Sequence, residues 1–186
     1  MEDILKEALM TVADKGVILY PTDTVWGIGC DATDARAVSK IFEIKKRNES
    51  KSFVVLVADI AMLQDYVDAI PKKALAIIKA ANKPTTIIYK NPKGLAKNVI
   101  AEDATVAIRV VNDFFCEEFI KKLGKPIVST SANISGTPTP QSFKEIDKSI
   151  LDAVDYVVNL RQNEITNTPS TIIQITNGEE VKVIRA

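Results

Sequence analysis

The fold is decided by residues 20–57, which read YPTDTVWGIGCDATDARAVSKIFEIKKRNESKSFVVLV. The apolar residues 17–20 predict a strand that stops at Pro21, because proline lacks the N–H that a central strand position donates. Polar residues and two glycines follow at 22–29 and predict a loop at the strand end, where α/β folds commonly bind ligands. A helix is predicted next, since apolar residues recur at helical spacing through residues 37–44.

Cations end this helix, at Lys45, Lys46 and Arg47. The helix macrodipole alone favours basic residues in a last turn, so no ligand is needed to explain them. The same turn would nevertheless bring positive charge beside the polar loop. Asp23 and the threonines on either side of it have two interpretations as well, because Asp and Thr side chains readily bond nearby backbone in turns. The residues by themselves leave a structural and a functional interpretation open.

Helices and strands alternate along the rest of the chain. The predicted helices cover residues 2–14, a short segment capped by Asp59, 71–81 and 113–123. The predicted strands cover residues 53–57, 85–89, 105–111, 125–128, 155–159, 172–175 and 181–184. Gly16 is predicted as the left-handed residue that ends the first helix, and Asn177 and Gly178 as the turn of a closing hairpin. This order predicts an α/β (α+β) fold with a mixed sheet, flanking helices and several loops converging on a cleft.

The composition is that of an ordinary globular protein. The 186 residues are 46% hydrophobic and 26% charged, which suits one domain spanning residues 1–186. No apolar run approaches the ~20 residues of a membrane span, and the acidic amino terminus lacks the basic start of a secretory signal. We therefore expect a cytoplasmic protein without membrane contact. Cys30 and Cys116 are far apart and lack CxxC spacing, so we expect both to be reduced and buried.

The chain contains no histidine. Histidine is the commonest general base and the commonest transition-metal ligand, so Ser-His-Asp, Cys-His and HExxH chemistries are excluded. Lys plus Arg and Asp plus Glu number 24 each, which leaves no overall positive field to attract a polyanion. Any contact with nucleic acid must therefore be a local patch.

Two more polar clusters lie beside predicted strands. STSANISG at residues 129–136 follows a short apolar strand, and NTPST at 167–171 precedes the closing hairpin. Arg109 interrupts an apolar strand, and a buried charge needs a partner, so it lies at the rim of the sheet or meets an anion. Three hydroxyl-rich clusters with Lys45, Arg47 and Arg109 favour binding of phosphates or carboxylates. Since neither GxxxxGK[ST] nor GxGxxG occurs, the residues alone predict an anion-binding α/β enzyme or binding protein.

Five motifs follow one another in an order that resembles a known family. They are YPTDTVWGIGCDA (20–32), IKKR (44–47), VAIRV (106–110), STSANISG (129–136) and PST (169–171). Together they are similar to the signatures of the YrdC/TsaC family, the threonylcarbamoyl-AMP synthases, over nearly the whole chain. The resemblance implies a YrdC-like fold, with a twisted mixed sheet and a large open cleft.

The resemblance also implies an activity. Family members are nucleotidyltransferases that make L-threonylcarbamoyladenylate and pyrophosphate from L-threonine, bicarbonate (or CO2) and ATP. We therefore expect these three substrates, with Mg²⁺ as the cofactor that accompanies ATP. The product would pass to downstream threonylcarbamoyl-transferase proteins for the N6-threonylcarbamoyladenosine modification of tRNA, and a direct tRNA contact belongs to the same expectation.

The motifs also carry the family's functional residues onto positions of this chain. For catalysis the resemblance implies Lys45 and Arg47 of the K-x-R motif. For ATP and the adenylate it implies the same two residues, Ser131 and Asn133 of the S-x-N motif, and Thr22, Ser129, Thr130 and Thr171. For threonine it implies Thr24, Arg109 and Ser170. No metal ligand is assigned, because turn roles suit Asp23 and Asp31 better than a place beside Mg²⁺.

The expected mechanism begins with a carbamate formed from threonine and bicarbonate. A carbamate oxygen then attacks the α-phosphate of ATP. Lys45 and Arg47 would offset the negative charge that develops on the phosphates.

Some positions depart from the family pattern. Asn48 stands where a proline usually follows K-x-R, Ser52 lies in the segment that usually reads KPL, and Phe114 lies in the one that usually reads VPDHP. These departures concern the geometry of the loops more than the activity. We expect the chain to lack the extra carboxy-terminal domain of longer members.

Two other functions compete with the synthase. The first is a tRNA- or rRNA-binding module without catalysis, whose patch would consist of Lys40, Lys45, Lys46, Arg47 and Lys51. Zero net charge and the lack of an aromatic stacking platform argue against it. The second is a carbamoyl-adenylate-handling domain like that of hydrogenase-maturation proteins. Those domains occur in longer chains with zinc and acylphosphatase modules, which this sequence does not show.

Overall fold

A computed structural model of the chain describes residues 1–47, 53–165, 168–176 and 180–186. Its strands are β1 (Ile18–Tyr20), β2 (Gly27–Asp31), β3 (Val54–Val57), β4 (Thr85–Lys90), β5 (Thr105–Val110), β6 (Ile127–Ser131), β7 (Tyr156–Val157), β8 (Thr171–Ile175) and β9 (Val181–Arg185). Its α-helices are α1 (Glu2–Ala13), α2 (Ala35–Lys45), α3 (Ile60–Tyr66), α4 (Lys72–Ala80), α5 (Phe114–Leu123) and α6 (Lys148–Ala153). Short 3-10 turns lie at Lys97–Val99 and Phe143–Glu145.

The strands form a mixed sheet in the order β7-β1-β2-β6-β3-β5-β4-β8-β9. β1 pairs in parallel with β7, β3 with β5 and β4 with β8, and the other neighbours are antiparallel. The predicted α/β (α+β) class, with a mixed sheet and flanking helices, is confirmed. The closing hairpin is also confirmed, as β8 and β9, but its predicted turn residues Asn177 and Gly178 lie outside the described residues.

Both faces of the sheet are covered, because successive side chains of a strand point to opposite faces. Tyr20 of β1 packs with α1 and α5 on one face, while Leu19 packs with α2 on the other. In β3, Leu56 joins the first of these apolar clusters, and Val55 and Val57 join the second. The uninterrupted apolar run of β3 is therefore that of a strand buried on both faces.

The loop predicted at residues 22–29 is shorter in the structure. β2 begins at Gly27, so both glycines lie in a strand, and neither has the positive φ that a turn would use. Gly29 is needed for space instead. A Cβ at Gly29 would lie 2.7 Å from Tyr20 Cε1 and 2.7 Å from the Val128 carbonyl oxygen. Glycine therefore allows the Tyr20 ring and the neighbouring strand to approach β2 closely.

The end of α1 also differs from its prediction. Lys15, not Gly16, adopts the left-handed conformation, with a φ of 63°. The N–H of Gly16 donates to the Thr11 carbonyl at 2.8 Å, as in a Schellman motif. A Cβ at Gly16 would lie 2.6 Å from Thr11 Cγ2, so crowding explains this glycine. The predicted Asp59 cap is confirmed, since its side chain caps the start of α3. α5 ends at Gly124, which has a φ of 69°.

The remaining predicted elements are present with shifted ends. Phe114, one of the departures from the family pattern, is the first residue of α5 and is 70% exposed, whereas Asn48 and Ser52 lie outside the described residues. Cys30 and Cys116 are buried and unpaired, as predicted. Within the described residues, no helix has both the length and the apolar character to cross a membrane. The single domain at 1–186 stays a prediction.

The left-handed Lys15 generates a stability prediction in which one type of substitution has opposite effects at two positions. Lys15→Gly is expected to raise the free energy of unfolding by about 0.5–1 kcal/mol, because glycine adopts positive φ without a steric penalty. Lys6→Gly, at an exposed position inside α1, is expected to lower it by about 1 kcal/mol. Urea denaturation of both variants measures the difference. A loss of stability in Lys15→Gly equal to that in Lys6→Gly would contradict the assignment.

Candidate functional site

A cavity of about 250 Å³ opens beside β6, between the loop after β1 and the segment before β8. The residues that line it with hydroxyl groups are Thr24, Ser129, Thr130, Ser131, Thr139 and Ser170. The cations that line it are Arg47, Arg109 and Arg185. No carboxylate occurs among its described lining residues. Hydroxyl donors with guanidinium groups suit a ligand that carries several negative charges.

The structure divides the site residues predicted from the sequence. Those that line the cavity are Thr24, Arg47, Arg109, Ser129, Thr130, Ser131 and Ser170. Those that are not among its described lining residues are Thr22, Lys45, Asn133 and Thr171. The roles of all of them stay predictions. The three hydroxyl-rich clusters nevertheless meet at one place, as the sequence predicted.

Hydrogen bonds fix the loop after β1. Thr22 is 2% exposed, and its Oγ1 donates to the Val25 carbonyl at 2.7 Å and accepts from the Thr24 N–H at 3.0 Å. Thr22 Oγ1 also lies 2.9 Å from Thr24 Oγ1. Thr22 therefore has the turn role that its residue type favours, and it supports the Thr24 hydroxyl at the cavity wall.

Arg109 and Asp23 form a buried ion pair. Arg109 is 4% exposed, and its Nη2 donates to Asp23 Oδ1 at 2.9 Å and to Thr24 Oγ1 at 3.4 Å. Arg109 was predicted to lie at the rim of the sheet or to pair with an anion. The second possibility holds, and the anion is the Asp23 carboxylate of the same chain. The carboxylate stabilises the guanidinium beside the cavity.

The two aspartates considered as Mg²⁺ neighbours, Asp23 and Asp31, both have partners within the chain. Asp23 is paired with Arg109. Asp31 accepts from the Thr33 N–H at 2.7 Å, which is a turn role, and forms an ion pair with Lys125 Nζ at 2.7 Å. The described residues contain no cluster of three or more acidic, cysteine or histidine side chains placed to hold a metal ion.

Lys45, the last residue of α2, is almost completely buried, with 1% exposure. Its Nζ donates to the Ser131 carbonyl at 2.5 Å and to the Asn133 carbonyl at 2.7 Å, and lies 3.5 Å from Asn133 Oδ1. Burial first, and the charge of Arg47 second, lower the pKa of Lys45 to about 7. Independently of this shift, the partners of Lys45 Nζ are oxygens of the S-x-N segment.

Arg47 reaches the cavity because the chain turns sharply after α2. Lys46 has a left-handed conformation, with a φ of 49°, and the Arg47 N–H donates to the Phe42 carbonyl at 3.0 Å. The Arg47 guanidinium lies 4.9 Å from the centre of the Phe53 ring, which favours a cation at this place. Burial lowers the pKa of Arg47. The Phe53 platform was not recognised from the sequence, because an aromatic residue that begins an apolar strand reads as core.

The second polar cluster was predicted to follow its strand, and this was wrong for its first three residues. Ser129, Thr130 and Ser131 lie inside β6 and pair with β2, with Ser129 opposite Gly29 and Ser131 opposite Gly27. The backbone bonds of this pairing replace the turn that serine and threonine would form locally. Hydroxyls on a strand of the sheet are held more rigidly than hydroxyls on a loop.

Asn133 uses its side chain within its own segment. Its Nδ2 donates to the Thr137 carbonyl at 2.7 Å and to the Ile134 carbonyl at 3.1 Å. Its Oδ1 accepts from Ser131 Oγ at 2.5 Å. The S-x-N motif is therefore internally bonded, with Ser131 on the cavity side.

Arg185 is a cavity residue that the sequence reasoning missed. It lies at the end of β9, and its Nη2 donates to the Ser170 carbonyl at 2.8 Å and to Ser170 Oγ at 3.2 Å. Ser170 is itself 2% exposed and shares a hydrogen bond with Thr86 Oγ1 at 2.8 Å. No local signal distinguishes Arg185, because β9 reads VKVIR, with a second cation at Lys182, and is exposed along its length.

Relatives of similar length are known for this sequence. A sequence model of the Sua5/yciO/yrdC family, described as telomere recombination, matches residues 11–186. A protein of Pseudoalteromonas translucida (strain TAC 125), named threonylcarbamoyl-AMP synthase, is 33% identical over 182 residues, which cover 96% of each chain.

Solved structures share the fold. P. abyssi Sua5 complexed with L-threonine matches with a TM-score of 0.86 and 25% identity, over 97% of this chain and 53% of that one, so the chain spans about half the length of that protein. E. coli YciO matches with a TM-score of 0.86 and 24% identity, over 100% of this chain and 89% of that one. Because the family match extends from residue 11 to residue 186, the chain belongs to the Sua5/YciO/YrdC family.

Proposed function

We propose that the chain is a threonylcarbamoyl-AMP synthase, which makes L-threonylcarbamoyladenylate and pyrophosphate from L-threonine, bicarbonate or CO2, and ATP. The observation that carries this proposal is the convergence of three arginines and six hydroxyl-bearing residues on one cavity. The name of the relative from Pseudoalteromonas translucida, which matches over 96% of its own length, supports the same activity. The chain would then be an enzyme of the nucleotidyltransferase type.

L-Threonine is proposed to bind near the buried ion pair. Arg109 would attract the substrate carboxylate, since guanidinium and carboxylate groups match in geometry and charge. Thr24 and Ser170 line the same cavity and offer hydroxyls. The L-threonine bound to P. abyssi Sua5, a structure that this chain resembles over 97% of its length, supports a threonine site.

ATP is proposed to bind along β6. Ser129, Thr130 and Ser131 offer hydroxyls to the adenylate part, while Arg47 and Arg185 supply positive charge for the phosphates. Mg²⁺ is proposed to arrive with ATP as part of the substrate. We assign it no protein ligand.

The reaction needs positioning more than proton transfer. In the proposed step a carbamate oxygen forms a bond to the α-phosphorus, and the bond from that phosphorus to the bridging oxygen of pyrophosphate breaks. Negative charge grows on the departing phosphates, and Arg47 can offset it through charge-assisted hydrogen bonds. A site without histidine suits such a step, because donors fixed in advance supply most of the stabilisation.

The wider role follows from the product. We propose that the adenylate passes to downstream threonylcarbamoyl-transferase proteins for the N6-threonylcarbamoyladenosine modification of tRNA, with a tRNA contact as a further expectation. A cytoplasmic location is part of the proposal, and it suits two cysteines that are unpaired.

The alternative of an RNA-binding module without catalysis is not favoured. Its predicted patch is interrupted, because Lys45 is buried, whereas Lys40 is exposed and its Nζ donates to the Lys15 carbonyl at 3.1 Å. Arg47 lines the cavity, and Lys51 lies outside the described residues. The predicted cations therefore do not share one described surface.

The synthase proposal is tested by pyrophosphate release from purified protein with ATP, Mg²⁺, bicarbonate and L-threonine, with each substrate omitted in turn. Release should require all three substrates. Arg47→Met should lower kcat/KM roughly 10–100-fold, because charged hydrogen bonds contribute about 1.5–3 kcal/mol. Lys46→Met is the matched control, since Lys46 is exposed and should release pyrophosphate at the wild-type rate. Pyrophosphate release that does not depend on threonine would contradict the proposal.

The threonine site is tested by Arg109→Met. The KM for threonine should rise at least about tenfold, while the KM for ATP stays within about twofold, because one charged contact is lost. The variant should also lose about 3–5 kcal/mol of stability, since it leaves the Asp23 carboxylate buried without its partner.

A double variant, Asp23→Asn with Arg109→Met, separates these two effects. It should recover most of the lost stability, because neither charge is then buried, and none of the threonine affinity. Recovery of threonine use together with stability would show that Arg109 serves only to hold the fold.

A further inference from the structure

The K-x-R and S-x-N motifs divide into two pairs in this structure. Arg47 and Ser131 line the cavity, whereas Lys45 and Asn133 are not among its described lining residues. We propose that Lys45 and Asn133 are positioning residues, which lock the Arg47 turn to the end of β6 and touch neither ATP nor threonine. This inference rests on the proposed function, because it assigns places within that reaction.

The donors of Lys45 are already matched by oxygens. An ammonium group has three N–H donors, and three oxygens lie within reach of Nζ, namely the Ser131 and Asn133 carbonyls and Asn133 Oδ1. The side chain is 1% exposed. A phosphate could meet this ammonium only if the chain moved and gave up bonds of 2.5 and 2.7 Å.

The backbone repeats the connection made by the side chain. The Lys45 carbonyl accepts from the Ser135 N–H at 2.8 Å. Lys45 therefore joins the end of α2 to the S-x-N segment at two points. Arg47 follows two residues later, so its position relative to Ser131 is set by these bonds.

The amide of Asn133 is equally occupied. Both of its N–H donors have carbonyl partners, in Ile134 and Thr137. Its Oδ1 receives the Ser131 hydroxyl, which orients that hydroxyl and leaves the oxygen of Ser131 free to accept a bond from the cavity side. Asn133 thus orients the Ser131 hydroxyl and has no N–H donor left for a ligand.

The partners of Lys45 also determine what its removal does to the S-x-N segment. No carboxylate pairs with Lys45 among the described ion pairs, and its positive charge is held by carbonyl dipoles instead. Removal of the ammonium would leave two backbone carbonyls without this donor, which weakens the segment that they belong to. Loss of Lys45 should therefore loosen residues 129–137 even when no ligand is present.

The first experiment measures amide hydrogen exchange of the ligand-free protein. In Lys45→Met, which keeps the length of the side chain, exchange over residues 129–137 should accelerate about tenfold or more, because local opening costs less free energy. Lys46→Met is the matched control and should exchange like the wild type. Wild-type exchange in a folded Lys45→Met would overturn the proposal.

The second experiment compares the affinities for ATP and AMP by calorimetry. A residue that touches the outer phosphates of ATP changes the ratio of the two affinities, whereas a positioning residue changes the reaction rate. In Lys45→Met, kcat should fall about 100-fold through misplacement of the reacting groups, with the ATP-to-AMP ratio within about twofold of the wild type. A drop in this ratio as large as that in Arg47→Met would place Lys45 on the phosphates and overturn the proposal.

Asn133→Ala provides an independent test if Lys45→Met does not fold. It should accelerate exchange over the same residues and lower kcat, whether or not Lys45→Met folds. If Lys45→Met does fold, the effects of the two substitutions should not add, because the two residues act as one unit. Wild-type exchange and kcat in Asn133→Ala would contradict the proposal. The exchange measurements need no substrate, so absence of pyrophosphate release in the wild type would count against the synthase and not against this pair of positioning residues.

Discussion

The antiparallel pairing of β2 with β6 is the interaction on which the rest of the site depends. It sets Gly27 opposite Ser131 and Gly29 opposite Ser129, and so joins two motifs that lie far apart in the chain. Glycine is required at position 29 because the Tyr20 ring and the β6 backbone approach too closely for a side chain. The hydroxyls of β6 are thereby fixed on a strand, where backbone pairing holds them in place before any ligand arrives.

Burial of positive charge is the second constraint, because an unpaired buried cation is strongly destabilising. The cations of the site are stabilised by partners of different kinds. Of the buried cations, Arg109 is paired with Asp23 and Lys45 is surrounded by carbonyl oxygens. Arg185 is exposed and donates to Ser170. Carbonyl and hydroxyl partners hold a cation without cancelling its charge. The cavity therefore keeps a positive character, and its donors need little reorganisation to meet an anionic ligand.

Membership of the Sua5/YciO/YrdC family and the geometry of the cavity support the same proposed reaction by separate arguments. The geometry also refines how the motifs are understood. A motif residue can be required without touching a ligand when it fixes the residue that does. Lys45 and Asn133 fit this description, because the hydrogen bonds of both side chains are made inside the protein.

The sequence by itself determined the fold class, most helices and strands, the buried cysteines and the three polar clusters, because periodicity, caps and turn residues are local signals. It also named most of the hydroxyl-bearing and cationic residues that line the cavity. Only the tertiary structure decided that Gly29 makes room for Tyr20, that Ser129–131 continue a strand, that Lys45 is buried, and that Arg185 joins the site. Each of these depends on which distant segments pair across the sheet, and long-range pairing leaves no periodic trace in the local sequence.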